Sequence, residues 1–138
     1  MHKALVVILA SSWFLSIGVL AQSVHTPSPG SAERKAILDA ARPRVLTDLG
    51  YSGPMLFKVD RLRVAGDWAL LWAQAVTPSG APIYKGCDPV DEITLVLLRR
   101  VQGHWGLVRG GVACSGGVFW LSWPEETGAP AVIFQGGG

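Results

Sequence analysis

The sequence predicts an α+β fold, in which an N-terminal helix packs on a strongly bent antiparallel sheet of four or more strands. Residues 31–50 carry apolar side chains at helical spacing. Residues 56–76 and 93–114 each contain two apolar runs joined by a short turn, which is typical of a β-hairpin. A helix followed by consecutive hairpins predicts segregated α and β structure rather than alternating βαβ units.

The first 21 residues have the pattern of a secretory signal peptide. Lys3 precedes an uncharged run over residues 4–20, and residues 19–21 are small or tolerated at a cleavage site after Ala21. A membrane anchor is the alternative, because the run approaches the length of a spanning helix. The single lysine, the interrupting serines and the cleavage site favour removal of the segment. We therefore predict a periplasmic or secreted protein with no stable membrane anchor after signal removal.

Removal of the signal leaves 117 of the 138 residues, enough for one domain with one core. Residues 22–30 are polar and proline-rich and predict a flexible arm, and residues 31–138 predict a single α+β domain. The formal net charge is +2, or +1 without Lys3. Such a balance does not favour a nucleic acid or an anionic membrane as partner.

The two cysteines, Cys87 and Cys114, both lie in the mature part of the chain. In an oxidising compartment this predicts one disulfide, which closes a loop of about 28 residues. The spacing excludes a CxxC redox pair, and no metal site is predicted because further ligands at suitable spacing are lacking.

The helix is predicted to begin at the N-cap Ser31 and to end at Gly50. Its buried stripe has apolar residues four positions apart, namely Ile37, Ala41 and Val45. Pro43 removes a backbone donor and clashes with the preceding turn. The sequence therefore predicts either a kink at this position or a second short helix that begins at Pro43.

The second strand of the first hairpin has two apolar faces, which predicts a central strand covered on both sides. One face is bulky: Trp68, Leu70, Trp72 and Val76. The other is mostly small and suits a closely packed helix: Ala69, Leu71, Ala73 and Ala75. In the first strand the alternation changes phase, so a bulge near Asp60 and Arg61 is needed to bring its apolar residues onto one face.

The remainder of the chain predicts a long loop, a second hairpin and an irregular tail. The loop over residues 77–89 is tied down by Cys87, and strands follow at residues 93–101 and 104–114. Residues 118–123 predict either a short strand or a helical turn. Residues 131–134 predict an additional edge pairing.

The element order and two sequence stretches, LRVAGDWALLWA (62–73) and LLRRVQGHWGLV (97–108), carry a resemblance. Together with the tryptophan-bearing tail, these features make residues 31–123 resemble a group of small exported bacterial proteins. This resemblance does not imply a particular activity. Their fold resembles the cystatin-like or nuclear-transport-factor-2-like group, in which a bent sheet wraps a helix. This group includes isomerases, dehydratases, inhibitors and scaffolds, so the resemblance implies architecture more than activity.

The ionisable residues do not form a recognisable catalytic constellation. A general base of the carboxylate type needs an apolar pocket that raises its pKa, whereas Asp91, Glu92 and the other acids of the loop and tail occupy positions typical of solvated charges. His25 and His104 have no partner at metal-ligand spacing. We predict no catalytic residue, no metal ligand and no cofactor.

Arginines and tryptophans are the better candidates for binding. The hairpins carry Arg61, Arg63, Arg99, Arg100 and Arg109, which form either a weak anion-binding stripe or ordinary surface charge that discourages aggregation. Trp68 and Trp72 are predicted core residues, whereas Trp120 and Trp123 are predicted at a pocket rim or an interface. The predicted ligand-binding residues are Trp72, Trp120, Trp123, Asp91 and Arg109.

Three functional hypotheses follow. The first is an exported, non-catalytic binding or interaction module for an unknown small molecule or envelope protein. The second is a small isomerase or dehydratase whose carboxylate base lines a closed cavity. The third is a structural homodimer that presents its sheet face to a second copy.

Overall fold

The computed structural model describes residues 23–88, 91–115 and 117–136, and the predicted signal peptide lies outside them. The elements are α1 (Ala32–Leu49), β1 (Leu56–Ala65), β2 (Trp68–Val76), β3 (Glu92–Val101), β4 (His104–Cys114), α2 (Trp123–Thr127) and a 3-10 turn (Ala131–Ile133). The strands form one open antiparallel sheet in the order β1-β2-β3-β4, with α1 packed against it. The α+β prediction is confirmed. Within these residues, none of the helices has the length and apolar character needed to cross a membrane.

Helix α1 has the predicted caps. Ser31 Oγ accepts a hydrogen bond from the backbone N–H of Arg34 at 3.2 Å, and Gly50 adopts the left-handed conformation that ends the helix. The helix continues through Pro43, so the alternative of a second helix beginning there is wrong. Ala41 and Val45, on either side of the proline, are fully buried, and their packing holds both halves against the sheet.

The predicted bulge in β1 is confirmed. The pairing of β1 with β2 shifts register between Val59 and Arg61. Beyond this shift, Leu62 and Val64 point to the α1 side and are buried, in the same cluster as α1. The extra residue thus restores one apolar face along the strand.

Buried apolar side chains form two cores, one on each face of the sheet. The helix-side core contains Ile37, Ala41, Val45, Met55, Leu62, Val64, Ala69, Leu71, Ala73, Ala75, Val96, Leu98 and Val112. The tail-side core contains Ala65, Leu70, Leu95, Leu97, Trp123, Ala129, Ile133 and Phe134, with Trp68 and Trp72 packed against it. The prediction that β2 is covered on both faces, with the helix on its alanine side, is confirmed.

The tail covers the second face of the sheet. Residues 119–122 form turns that lead into α2, so the strand alternative for residues 118–123 is wrong. The edge pairing predicted for residues 131–134 is also wrong, because Ala131–Ile133 is a 3-10 turn whose Ile133 is buried. Ile133 and Phe134 are instead buried in the core on this face of the sheet.

The predicted disulfide is confirmed. Cys87 and Cys114 are bonded, with their Cα atoms 5.7 Å apart. Because Cys114 is the last residue of β4, the bond ties the long loop to the end of that strand.

Residues 23–30, predicted as a flexible arm, contact the edge of the sheet. The backbone of His25 exchanges two hydrogen bonds with Val64, of 2.9 and 2.8 Å, and Pro27 is buried. The His25 ring also contacts Glu33 of α1 at 3.1 Å. A polar, proline-rich composition predicts the lack of regular structure, but not whether the segment pairs with a neighbouring edge.

Candidate binding surface

Aromatic side chains of the tail contact those of β2 on the tail side. The ring centroids of Trp72 and Trp120 are 5.3 Å apart in an edge-to-face arrangement. Trp120 stacks on Phe134 at 6.3 Å, and Phe119 contacts Trp123 at 5.8 Å. Such aromatic pairs add about 0.5–1.5 kcal/mol each beyond their buried area. The contact between Trp72 and Trp120 joins the tail to the sheet, and the other two pairs join residues within the tail.

Two arginines lie over the tryptophans of β2. Arg61 is the cross-strand partner of Trp72, and its guanidinium lies 5.2 Å from that ring centroid. Arg99 pairs with Trp68 from the other side, at 5.1 Å. A cation over an indole face is stabilised by about 0.5–1 kcal/mol at exposed sites. The β2 tryptophans thus orient both guanidinium groups.

Two further arginines form polar contacts with the tail. Arg63 of β1 donates a hydrogen bond to the backbone carbonyl of Gln135. Arg109 of β4 forms an ion pair with Glu126 of α2. The predicted binding residue Arg109 therefore has an internal partner. In contrast, Arg61, Arg63 and Arg99 take part in none of the ion pairs within the described part of the chain.

The turn before α2 exposes apolar side chains. Val118 is 57% exposed and Leu121 is 61% exposed, although Phe119 and Trp120 between them pack on the sheet. We refer to residues 118–121 as the tail patch. Large apolar side chains that remain in water beside a packed aromatic cluster are typical of an interaction surface.

The structure brings four of the five predicted ligand-binding residues to one side of the sheet. Trp72, Trp120 and Trp123 all belong to the tail-side cluster, and Arg109 reaches it through α2. Trp123 is only 6% exposed, so it supports the surface from beneath and does not form its rim. Asp91 lies beside the disulfide instead, where its backbone bonds to Asp88 and Ser115.

The candidate carboxylate bases Asp91 and Glu92 have surface environments. Asp91 is exposed, and Glu92 accepts a 2.6 Å hydrogen bond from the backbone N–H of Lys85. Glu92 also groups with the sulfurs of Cys87 and Cys114, but both sulfurs are bonded in the disulfide. The pKa of Asp39 is lowered, mainly by its hydrogen bond from Lys35 and then by that from Arg42. A lowered pKa favours the charged carboxylate and is the opposite of what a general base requires.

Sequence reasoning missed the exposed residues of the tail patch and the stacking of Arg61 and Arg99. The arginine positions had a signal, because each alternates in phase with a tryptophan of β2 once the strands are aligned. No pattern in the sequence indicated the exposure of Val118 and Leu121, since it depends on which residues of this turn pack on the sheet.

Comparison of the chain with protein-family models, with curated proteins and with solved structures finds no match.

Proposed function

We propose that this protein is an exported, non-catalytic binding module, periplasmic or secreted, that recognises an acidic protein of the cell envelope through the tail patch. The observation that carries the proposal is the exposure of Val118 and Leu121 on the turn whose Phe119 and Trp120 pack on the sheet. An apolar pair held by a rigid aromatic base costs little conformational entropy on binding.

The arginine charge on the tail side of the sheet supports an acidic partner. Arg61, Arg63 and Arg99 all lie on the tail side of the sheet, and no ion pair between described residues neutralises them. Complementary charge at the border of an apolar contact increases the association rate and discriminates against wrong partners.

The disulfide supports export, because such bonds persist in oxidising compartments. We also propose a cystatin-like arrangement for the fold. One helix packed on a four-stranded antiparallel sheet supports a cystatin-like arrangement with the sheet bent around α1.

The positions of the acids support binding over acid–base catalysis. A carboxylate base of the isomerase type requires desolvation, whereas Asp91 is exposed and Glu92 is hydrogen-bonded at the surface. We therefore place the function at the tail patch and not at the disulfide end of the sheet.

The test begins with a photo-crosslinking amino acid at position 121, introduced into the mature protein with its disulfide intact. The envelope protein captured is then purified, and its dissociation constant is measured for the wild type and for Leu121→Ala. Val101→Ala is the matched control, since Val101 is similarly exposed, at 58%, at the end of β3. We expect Leu121→Ala to weaken binding about tenfold, which corresponds to about 1.4 kcal/mol, and Val101→Ala to leave it unchanged.

Equal effects of the two variants would refute the tail patch as the binding site. A partner without an acidic surface, or affinity independent of salt, would refute the electrostatic part. Crosslinks only between copies of this chain would replace the proposal with the homodimer hypothesis.

A further inference from the structure

A cavity of about 270 Å³ lies at the outer edge of β1. It is lined by Val24, His25, Thr26, Arg61 and Arg63. The arm forms one wall, and the two arginines of β1 form the other. The arm contacts the strand through the bridge between His25 and Val64.

Arg61 and Arg63 lie on the same side of β1, because both follow the bulge and alternate residues of a strand share a face. Arg61 and Arg63 are two residues apart, and their cross-strand partners are Trp72 and Leu70, both on the tail side. Each guanidinium is held by a separate contact. Arg61 rests on the Trp72 ring at 5.2 Å, and Arg63 donates to the carbonyl of Gln135. Two oriented guanidinium groups lose little side-chain freedom when they bind a ligand.

Ion pairing within the described residues leaves the charge of this pair unmatched. No ion pair in the described ranges joins Arg61 or Arg63 to a carboxylate. Glu33 comes near the cavity wall through His25, and its two carboxylate oxygens are each 3.1 Å from the His25 ring nitrogen. Arg63 uses one of its five N–H donors in the bond to Gln135, so most donors of the pair remain available.

The geometry of the donors indicates the class of ligand. Arginine presents planar pairs of N–H groups that match the oxygens of phosphate, and two arginines contact different oxygens of one tetrahedral group. The cavity volume is just below the range of about 300–1,000 Å³ typical of small-molecule pockets. It therefore suits a phosphate group with a short substituent.

We propose that Arg61 and Arg63, with the arm residues 24–26 as the opposite wall, form a binding site for the phosphate group of a small ligand. None of the residues that line this site belongs to the tail patch, and binding of a small ligand there does not depend on a partner protein.

Inorganic phosphate is the first probe, titrated at constant ionic strength into the mature protein labelled with ¹⁵N. The side-chain Nε–H signals of arginine report the binding directly. We expect saturable shifts of the Arg61 and Arg63 signals with a dissociation constant on the order of 1 mM. Arg61→Gln and Arg63→Gln should each weaken binding about tenfold, because each removes charge-assisted hydrogen bonds.

Arg99→Gln is the matched control. It removes the same charge and a similar contact with a tryptophan, but Arg99 does not line the cavity. We expect phosphate to bind this variant as it binds the wild type. Arg61→Lys keeps the charge but loses the paired N–H groups, so we expect an intermediate affinity.

Shifts of all arginine signals without saturation would show that phosphate acts only as a screening ion, and would overturn the proposal. Equal loss of affinity in Arg99→Gln would do the same. If acetate binds as tightly as phosphate, the assignment to a phosphate group is wrong. These titrations contain no partner protein, so their failure would not affect the tail-patch proposal.

Discussion

The carboxylate of Asp48 accepts a 2.9 Å hydrogen bond from the backbone N–H of Val112, and so joins the last turn of α1 to the edge strand β4. A negative charge at the C-terminal end of a helix is opposed by the helix dipole. The hydrogen bond offsets this, together with the ion pair to Arg44. Asp48 also blocks part of the exposed edge of β4 against pairing with another chain.

We expect Asp48→Ala to lower the free energy of unfolding by about 1–3 kcal/mol, because the N–H of Val112 loses its acceptor. Asp48→Asn keeps a side-chain oxygen and should cost less. Urea denaturation of both variants measures the difference. Equal destabilisation would mean that charge, and not the hydrogen bond, is the important contribution.

Gly111 allows Asp48 to approach β4. A Cβ atom at Gly111 would lie 2.0 Å from Asp48 Oδ2, and the residue has a φ of +142°. We expect Gly111→Ala to cost about 2–4 kcal/mol from backbone strain and overpacking together. Gly80→Ala is the matched control for strain, since Gly80 has a φ of +91° with nothing within 4 Å of the added carbon. Thermal or urea unfolding should show a clearly smaller loss for Gly80→Ala, and similar losses would contradict the steric argument.

The disulfide closes a loop with a sequence separation of 27 residues. In the chain-entropy model, the disulfide restricts the unfolded chain and thereby contributes about 3–4 kcal/mol to the free energy of unfolding. We expect the double variant Cys87→Ser with Cys114→Ser to lose this amount in urea denaturation. The wild-type protein treated with a thiol reductant should show the same loss. A loss below about 1 kcal/mol would indicate that the loop remains ordered by other contacts in the unfolded ensemble.

Asp39 should make the stability of α1 depend on pH. Its hydrogen bonds from Lys35 and Arg42 lower its pKa below the ordinary value of 3.8. The stabilisation is therefore complete above the unfolded-state pKa, and it is lost as the pH falls through the lower folded-state pKa. Because Asp39 is exposed, we expect less than about 1 kcal/mol, and a smaller effect at high salt. Comparison of wild type with Asp39→Asn at pH 6 and pH 2 should show the difference only at pH 6.

Several elements were predictable because their causes are local. The caps of α1 depend on Ser31 and Gly50 themselves, and the bulge near Asp60 follows from a phase change within one strand. The two faces of β2 follow from strict alternation. The disulfide required only two cysteines and an oxidising compartment.

The candidate sites could be predicted only in part. Tryptophan at positions 72 and 120 indicated binding or core from residue type alone, and the structure shows that the two rings contact each other. Whether Leu121 or Trp123 points inward depends on how the tail lies on the sheet, which no periodicity in an irregular segment reveals.

The sequence of this protein thus determines its four strands and the limits of α1 through neighbours along the chain, and its cross-link through the two cysteines of a chain predicted to be exported. Only the tertiary structure places the tail over the second face of the sheet, stacks Arg61 on Trp72 and sets the arm beside Arg63. These contacts join residues far apart in the chain, and they depend on which surface the sheet leaves uncovered after α1 has packed on the other face.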